Sequence, residues 1–171
     1  KGIKKLPSAH FLSFNNGKLS VKKYWDFKSL SNFNSYSNLE YAEALENLRI
    51  LLNESVKIRL MSDVPLGAFL SGGIDSSAIV ALMAMNSENP ISTFSIGLKD
   101  NENSELQFAK MIADYYGTKH HEYIIELNNY ELLPKIVSMF GEPFADPAAS
   151  HNYFVSKLAK KDVTVALSGD G

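Results

Sequence analysis

Apolar and polar positions change their spacing along this chain. In the first thirty residues they sit in two short β-type runs, 10–14 and 19–25, around Asn15-Asn16-Gly17-Lys18. Asn-Gly between such runs is the strongest short hairpin signal, and a lone hairpin, marginal in water, is expected to pack on something else. Residues 28–37 are rich in Ser and Asn and read as a linker. From about 39 to 61, Ala42, Leu45, Leu48, Leu52, Val56 and Leu60 recur near helical spacing, with Asn38 as the candidate cap. After Pro65 the pattern becomes an alternation. Short apolar strands are predicted at 65–70, 91–96, 120–125 and 163–167. Helices are predicted at 76–85, 105–116, 130–140 and 149–160, with Gly117 as a C-cap. Such alternation predicts an α/β fold with a mostly parallel, Rossmann-like sheet and flanking helices, preceded by the hairpin. The division expected is 1–37 for hairpin and linker and 38–171 for the α/β part.

The first strand runs into Ser71-Gly72-Gly73-Ile74-Asp75-Ser76-Ser77 and then a helix. Glycines let backbone approach an anion, the first helical turn offers free N–H groups, and the helix dipole favours negative charge. The serines add hydroxyl donors. Asp75 suits this setting if a divalent cation lies between it and phosphate, as Mg²⁺ is usually held. The stretch is neither a Walker A loop, since no lysine follows the glycines, nor G-x-G-x-x-G. The last strand repeats the theme as Leu167-Ser168-Gly169-Asp170-Gly171. If the strands ending at Leu70 and Leu167 are neighbours, both loops converge on one ligand at the carboxyl edge of the sheet. Ile96, read as the end of a third strand with Gly97 behind it, is placed to meet an adenine edge.

Composition narrows the classes. At 45% hydrophobic residues the 171-residue chain is globular, and its net charge of −2 argues against a general electrostatic grip on nucleic acid. No apolar run approaches the roughly 20 residues that span a bilayer. The absence of cysteine rules out disulfides and thiolate sites in this stretch and fits a reducing, cytoplasmic setting.

The first loop resembles the S-G-G-x-D-S pyrophosphate loop of the N-type ATP pyrophosphatases, the PP-loop class. The ordered set is more specific: that loop, Phe94-Ser95-Ile96-Gly97-Leu98, Gly117-Thr118-Lys119-His120-His121-Glu122, Glu142-Pro143-Phe144-Ala145-Asp146-Pro147, and the closing Ser-Gly loop. Together these resemble the synthetase domain of glutamine-hydrolysing asparagine synthetases. Gly2-Ile3-Lys4-Lys5-Leu6-Pro7 and Tyr24-Trp25 look like the join between that family's glutaminase and synthetase domains. The resemblance implies an adenine nucleotide alpha hydrolase-like fold. It implies ATP and Mg²⁺, with Ser71, Gly72, Gly73, Asp75, Ser76 and Ser77 cradling pyrophosphate and Asp75 holding the metal. Leu70, Ile96, Ser168 and Gly169 would contact adenosine. The implied chemistry is adenylation of the aspartate β-carboxylate, release of pyrophosphate, and displacement of AMP by ammonia supplied by a glutaminase domain. A homodimer is left open.

Asp170 stands where relatives often carry Glu, near the reacting carboxyl or ammonia. The family pattern continues beyond Gly171 with a second metal-binding Asp and a downstream lysine, so the chain as it stands is expected to be inactive alone. A related amidotransferase acting on another carboxylate, or a nucleotide-binding module without catalysis, are the alternatives. Glu142 and Asp146 are candidates to line the substrate side, with Asp146 equally readable as the cap of the next helix. Adjacent strand residues point to opposite faces, so His120 and His121 read as a half-exposed strand start and not a metal pair. Tyr115-Tyr116 read as helix packing, and Met61, Met83, Met85 and Met111 as core.

Overall fold

The computed structural model describes residues 2–26, 39–99, 105–126, 130–141, 146 and 148–170. Two compact units divide after Leu48, within the long helix. The first holds β1 (His10–Asn15) and β2 (Lys18–Lys23), paired antiparallel from His10↔Lys23 to Asn15↔Lys18. Asn16 and Gly17 turn between them with φ of 48° and 76°, the positive pair that a two-residue hairpin turn requires. The strand expected to reach Trp25 ends at Lys23, although the Tyr24 amide still donates to the Ala9 carbonyl at 2.9 Å. The predicted linker and the Asn38 cap lie outside the described residues. α1 (Tyr41–Leu60) buries only Val56 fully; Leu45 and Leu48 are exposed.

The second unit is the α/β part. β3 (Leu66–Phe69), β4 (Ser92–Leu98), β5 (Lys119–Ile125) and β6 (Val165–Leu167) form one parallel sheet in the order β5-β4-β3-β6. α2 (Ile74–Met85) and α3 (Leu106–Tyr116) join the first three strands. A short 3₁₀ turn, α4 (Leu133–Phe140) and α5 (Ala148–Ala159) lead back to β6. The chain therefore reverses its direction of winding between β3 and β6, and that is where open parallel sheets bind ligands.

Two apolar cores flank the sheet. Val56, Val80, Met83, Ala109 and Ala113 from α1, α2 and α3 pack with Ala68 and Leu70 on one side. Val155 and Ala159 of α5 pack with Val163 and Phe94 on the other. Both faces are covered, which is why the strands read as nearly continuous apolar runs. β4 runs two residues beyond the expected end at Ile96, because Gly97 and Leu98 pair with Ile124 and Ile125 of β5. β6 is shorter than expected: Thr164 and Val165 both donate to the Pro65 carbonyl, and the ladder starts only there.

Three expectations about side chains are corrected. Of the four methionines read as core, only Met83 is buried; Met61, Met85 and Met111 are exposed. Tyr115 is 80% exposed and packs edge-on against Tyr116, with ring centroids 4.8 Å apart, not into the core. His120 is not half-exposed. Its side chain is 9% accessible, and its Nδ1 lies 2.9 Å from Thr93 Oγ1, which is itself 2.8 Å from Thr118 Oγ1. Its Nε2 sits 3.3 Å from Glu122 Oε1 in a geometry that makes no hydrogen bond. His121 turns to the opposite face and stacks on Phe94 at 5.1 Å, so the two rings share no ligand.

Burial pushes the His120 pKa below its ordinary value; Glu122 pulls it partly back up, and Lys110 and His121 push it further down. The folded state thus binds fewer protons here than the unfolded chain. The stability this confers is full above the unfolded value of about 6.5 and is lost as pH falls from there through the lower folded value. The melting temperature should fall between pH 8 and about pH 5 by a few degrees more in the wild type than in His120→Gln. Parallel pH profiles for the two proteins would contradict this assignment.

Candidate functional site

The turn between β3 and α2 is built by its own hydroxyls. Leu70, fully buried, anchors it: its amide donates to the Phe94 carbonyl at 2.9 Å, and its carbonyl accepts from Ser95 Oγ. Ser76 is buried, and its Oγ accepts from the Ser71 amide at 3.2 Å and donates to the Gly73 carbonyl at 3.3 Å. Ser71 Oγ lies 2.9 Å from Ser76 Oγ and accepts from the Gly73 amide at 3.2 Å. With Ser71 as donor to Ser76, each hydroxyl has one donor role, and Ser76 Oγ has both lone pairs filled while Ser71 Oγ accepts one bond. The loop is preorganised, leaving the exposed first turn of α2 and Asp75 facing outward. Gly72 takes φ of 88°, and a Cβ there would lie 2.7 Å from the Glu105 carbonyl and 2.8 Å from the Ala109 amide. Only glycine lets this loop lie against the start of α3.

The second loop meets the first. A Cβ on Gly169 would fall 2.5 Å from the Ser76 amide nitrogen and 2.8 Å from the Asp75 carbonyl carbon. Backbone lies on backbone because β3 and β6 are neighbours, which meets the condition for the two loops to converge. Above this junction is a cavity of about 350 Å³, within the range of small-molecule sites. It brings together Leu70, Ser71, Gly73, Asp75, Ser76, Ile96, Ser168, Gly169 and Asp170 of the predicted residues. Gly72 and Ser77 stand behind it: Gly72 against α3, and Ser77 in the helix with its amide on the Gly73 carbonyl. Asp146 does not line the cavity. Its carboxylate accepts from the Ala148 amide at 2.8 Å and its carbonyl from Ala149 at 3.1 Å, which caps the start of α5. Glu142 lies outside the described residues.

Sequence reasoning missed Glu105 and His151, both of which line the cavity. Nothing local marks them; each comes to the site only through the placement of α3 and α5 against the sheet. On the other side of the second loop, Asp75 and Asp170 also border a cavity of about 590 Å³ with Arg59 of α1. The Arg59 guanidinium is tied to the Ser55 carbonyl at 2.9 Å and its hydroxyl at 2.7 Å.

The donor set fits a magnesium–polyphosphate ligand. Among the described residues lining the first cavity, Asp75, Glu105 and Asp170 are carboxylates and none is lysine or arginine. A bare polyphosphate would be repelled there, whereas one or two carboxylates with substrate phosphates are the usual Mg²⁺ shell. No three described His, Asp or Glu residues converge as a protein-only metal cage.

An all-parallel sheet with two Ser-Gly loops meeting where the strand order reverses defines an open, Rossmann-like α/β domain. A solved NMN synthetase from Francisella tularensis shares the fold: TM-score 0.52 and 15% identity, over 74% of this chain and 54% of that one. The chain belongs to the asparagine synthase family, whose model matches residues 47–171. It is 42% identical to asparagine synthetase [glutamine-hydrolyzing] 1 of Bacillus subtilis, over 99% of this chain and 26% of that protein. It is 38% identical to a putative asparagine synthetase [glutamine-hydrolyzing] 2 of Methanocaldococcus jannaschii, over the whole of this chain and 33% of the relative. The human asparagine synthetase [glutamine-hydrolyzing] is 34% identical over 80% of the chain. The chain thus spans a quarter to a third of the length of these relatives. No helix among the described residues is long and apolar enough to cross a membrane.

Proposed function

We propose that this chain is the ATP-handling part of a glutamine-dependent asparagine synthetase. The observation that carries the reading is the contact between the two Ser-Gly loops, which leaves one preorganised turn, two strand ends and three carboxylates around a nucleotide-sized cavity. In this reading a carboxylate oxygen of aspartate attacks the α-phosphorus of ATP, the bond to the β-bridging oxygen breaks, and ammonia then displaces AMP from the acyl carbon. The free N–H groups of the first turn of α2 hold the departing pyrophosphate, while Ser71, Gly73 and Ser76, whose donors are engaged within the loop, keep that turn in shape. Asp75 holds Mg²⁺, which when bound supplies charge neutralisation and polarises the phosphoryl oxygens. Leu70 and Ile96 offer apolar surface to the base, and Ser168 and Gly169 close over the ribose side. Asp170 borders both cavities, where the acceptor carboxyl or ammonia would approach. Aspartate is the acceptor that an asparagine product requires, and a glutaminase domain is the source of ammonia.

The test is pyrophosphate release by the longer protein that carries this chain, with ATP and a panel of carboxylates. Release that depends on aspartate supports the reading. Release with another carboxylate alone assigns a related amidotransferase, and no release with any acceptor, despite nucleotide binding, assigns a non-catalytic module.

A further inference from the structure

The first cavity changes character along its length. At one end are the hydroxyl-built turn and the first turn of α2. At the other, Phe69, Phe94, Ile96 and Val155 line it and pack together on the α5 side of the sheet. The Ser95 hydroxyl between these groups is already engaged by the Leu70 carbonyl. Asn152 of α5 is the one carboxamide among the described residues that line the cavity. It stands one turn before Val155, and this i,i+3 spacing makes the two side chains neighbours on the helix surface. α5 descends from the carboxyl edge of the sheet to the start of β6, so its earlier residues are those nearest the strand ends. Asn152 is exposed, and among the described residues its amide has no hydrogen-bond partner.

We propose that Asn152 selects the base: its carboxamide accepts from the 6-amino group of adenine and donates to N7. The inference rests on the nucleotide reading above. A purine lying against Phe69, Ile96 and Val155 leaves water, and each polar ring group left unpaired there weakens binding. Adenine presents a donor beside an acceptor on its N7 edge, and a carboxamide answers that pair with one acceptor and one donor. Guanine and hypoxanthine present two acceptors on the same edge, O6 and N7, so the amide meets one of them with its own oxygen in either orientation. On the opposite edge a turned amide pairs with 6-oxo purines as well as with adenine. The N7 edge is therefore where a single carboxamide tells these bases apart. The apolar wall sets the plane of the base without choosing among purines, and Asn152 supplies the choice. Asn152 also borders the groove between α4 and α5. A residue that only solvates that groove predicts no dependence on the base.

The experiment is calorimetric titration of the Mg²⁺ complexes of ATP, ITP and 7-deaza-ATP into the chain. Wild type, Asn152→Leu and Asn152→Ala are compared, after circular dichroism shows the same fold. Wild type should bind ATP about ten- to a hundredfold more tightly than ITP, which offers a second acceptor in place of the amino group. It should bind 7-deaza-ATP, which lacks only the N7 acceptor, about tenfold less tightly than ATP. In both variants ATP should fall to within about threefold of the two analogues, because ATP alone loses its partners. No preference of wild type for ATP over either analogue, or a preference that survives in both variants, overturns the role of Asn152 while leaving the nucleotide reading standing. Equal weakening of all three nucleotides in the variants overturns it too, since that marks a residue that only shapes the wall. No binding heat from any nucleotide with wild type overturns the nucleotide reading, and this inference with it.

Discussion

Asp75→Asn should leave the fold intact and lower pyrophosphate release by the longer protein at least about a thousandfold, roughly 4 kcal/mol of transition-state stabilisation. The fold should survive because Asp75 is exposed in the first turn of α2 and asparagine has the same shape. What is lost structurally is a favourable helix-dipole charge, less than about 1 kcal/mol. The catalytic loss is large because of the company Asp75 keeps. No lysine or arginine among the described residues lines the cavity, so a polyphosphate there depends on a divalent cation, and Asp75 is the carboxylate set beside the preorganised turn. The check is pyrophosphate release against Mg²⁺ concentration, with the melting temperature measured beside it. Near-normal release with an unchanged Mg²⁺ dependence would sink the metal role; a melting temperature lowered by many degrees would show Asp75 to be structural instead.

The parts of this molecule that were legible in its sequence are those written in local signals. Asn16-Gly17 announces its turn because positive φ at two successive positions suits few other pairs. The β-then-α alternation announces a parallel sheet because crossovers need helices, and the two Ser-Gly loops stand out because each follows an apolar strand. Features settled by non-local pairing were harder to read. β4 outruns Ile96 because β5 offers partners to Gly97 and Leu98, and nothing within β4 itself says so. His120 is buried because Thr93 faces it from the next strand. Met85, Met111 and Tyr115 lie on the outer sides of helices whose inner sides already fill the core with small residues, Ala109 and Ala113 among them. Glu105 and His151 reach the cavity through helix placement, which no short motif encodes. The pyrophosphate loop itself was legible, yet its inner logic was not: Ser76 reads as another phosphate donor in sequence and is buried as the hub of the turn.

Gly169→Ala should cost the chain about 2–4 kcal/mol and remove nucleotide binding, although alanine is the smallest change available. The added methyl would sit 2.5 Å from the Ser76 nitrogen, 2.8 Å from the Asp75 carbonyl carbon and 2.9 Å from the Ser76 Cα. All three are backbone atoms, so no rotamer change relieves the clash. Either β6 withdraws from β3, breaking the Leu66↔Val165 to Ala68↔Leu167 ladder, or the start of α2 moves and takes Asp75 with it. Both routes open the junction on which the cavity stands, and this ties the stability loss to the binding loss. Gly73→Ala is the control for stability, since its Cβ would approach only the Ser71 hydroxyl at 3.3 Å, a group that can turn aside. Its cost should stay under about 1 kcal/mol. Denaturant melts of the three proteins, with Mg²⁺-ATP titrations beside them, decide the matter. A Gly169→Ala protein as stable as wild type and binding nucleotide normally would mean that the two loops do not meet as described, and the nucleotide cavity built at their junction would have to be abandoned.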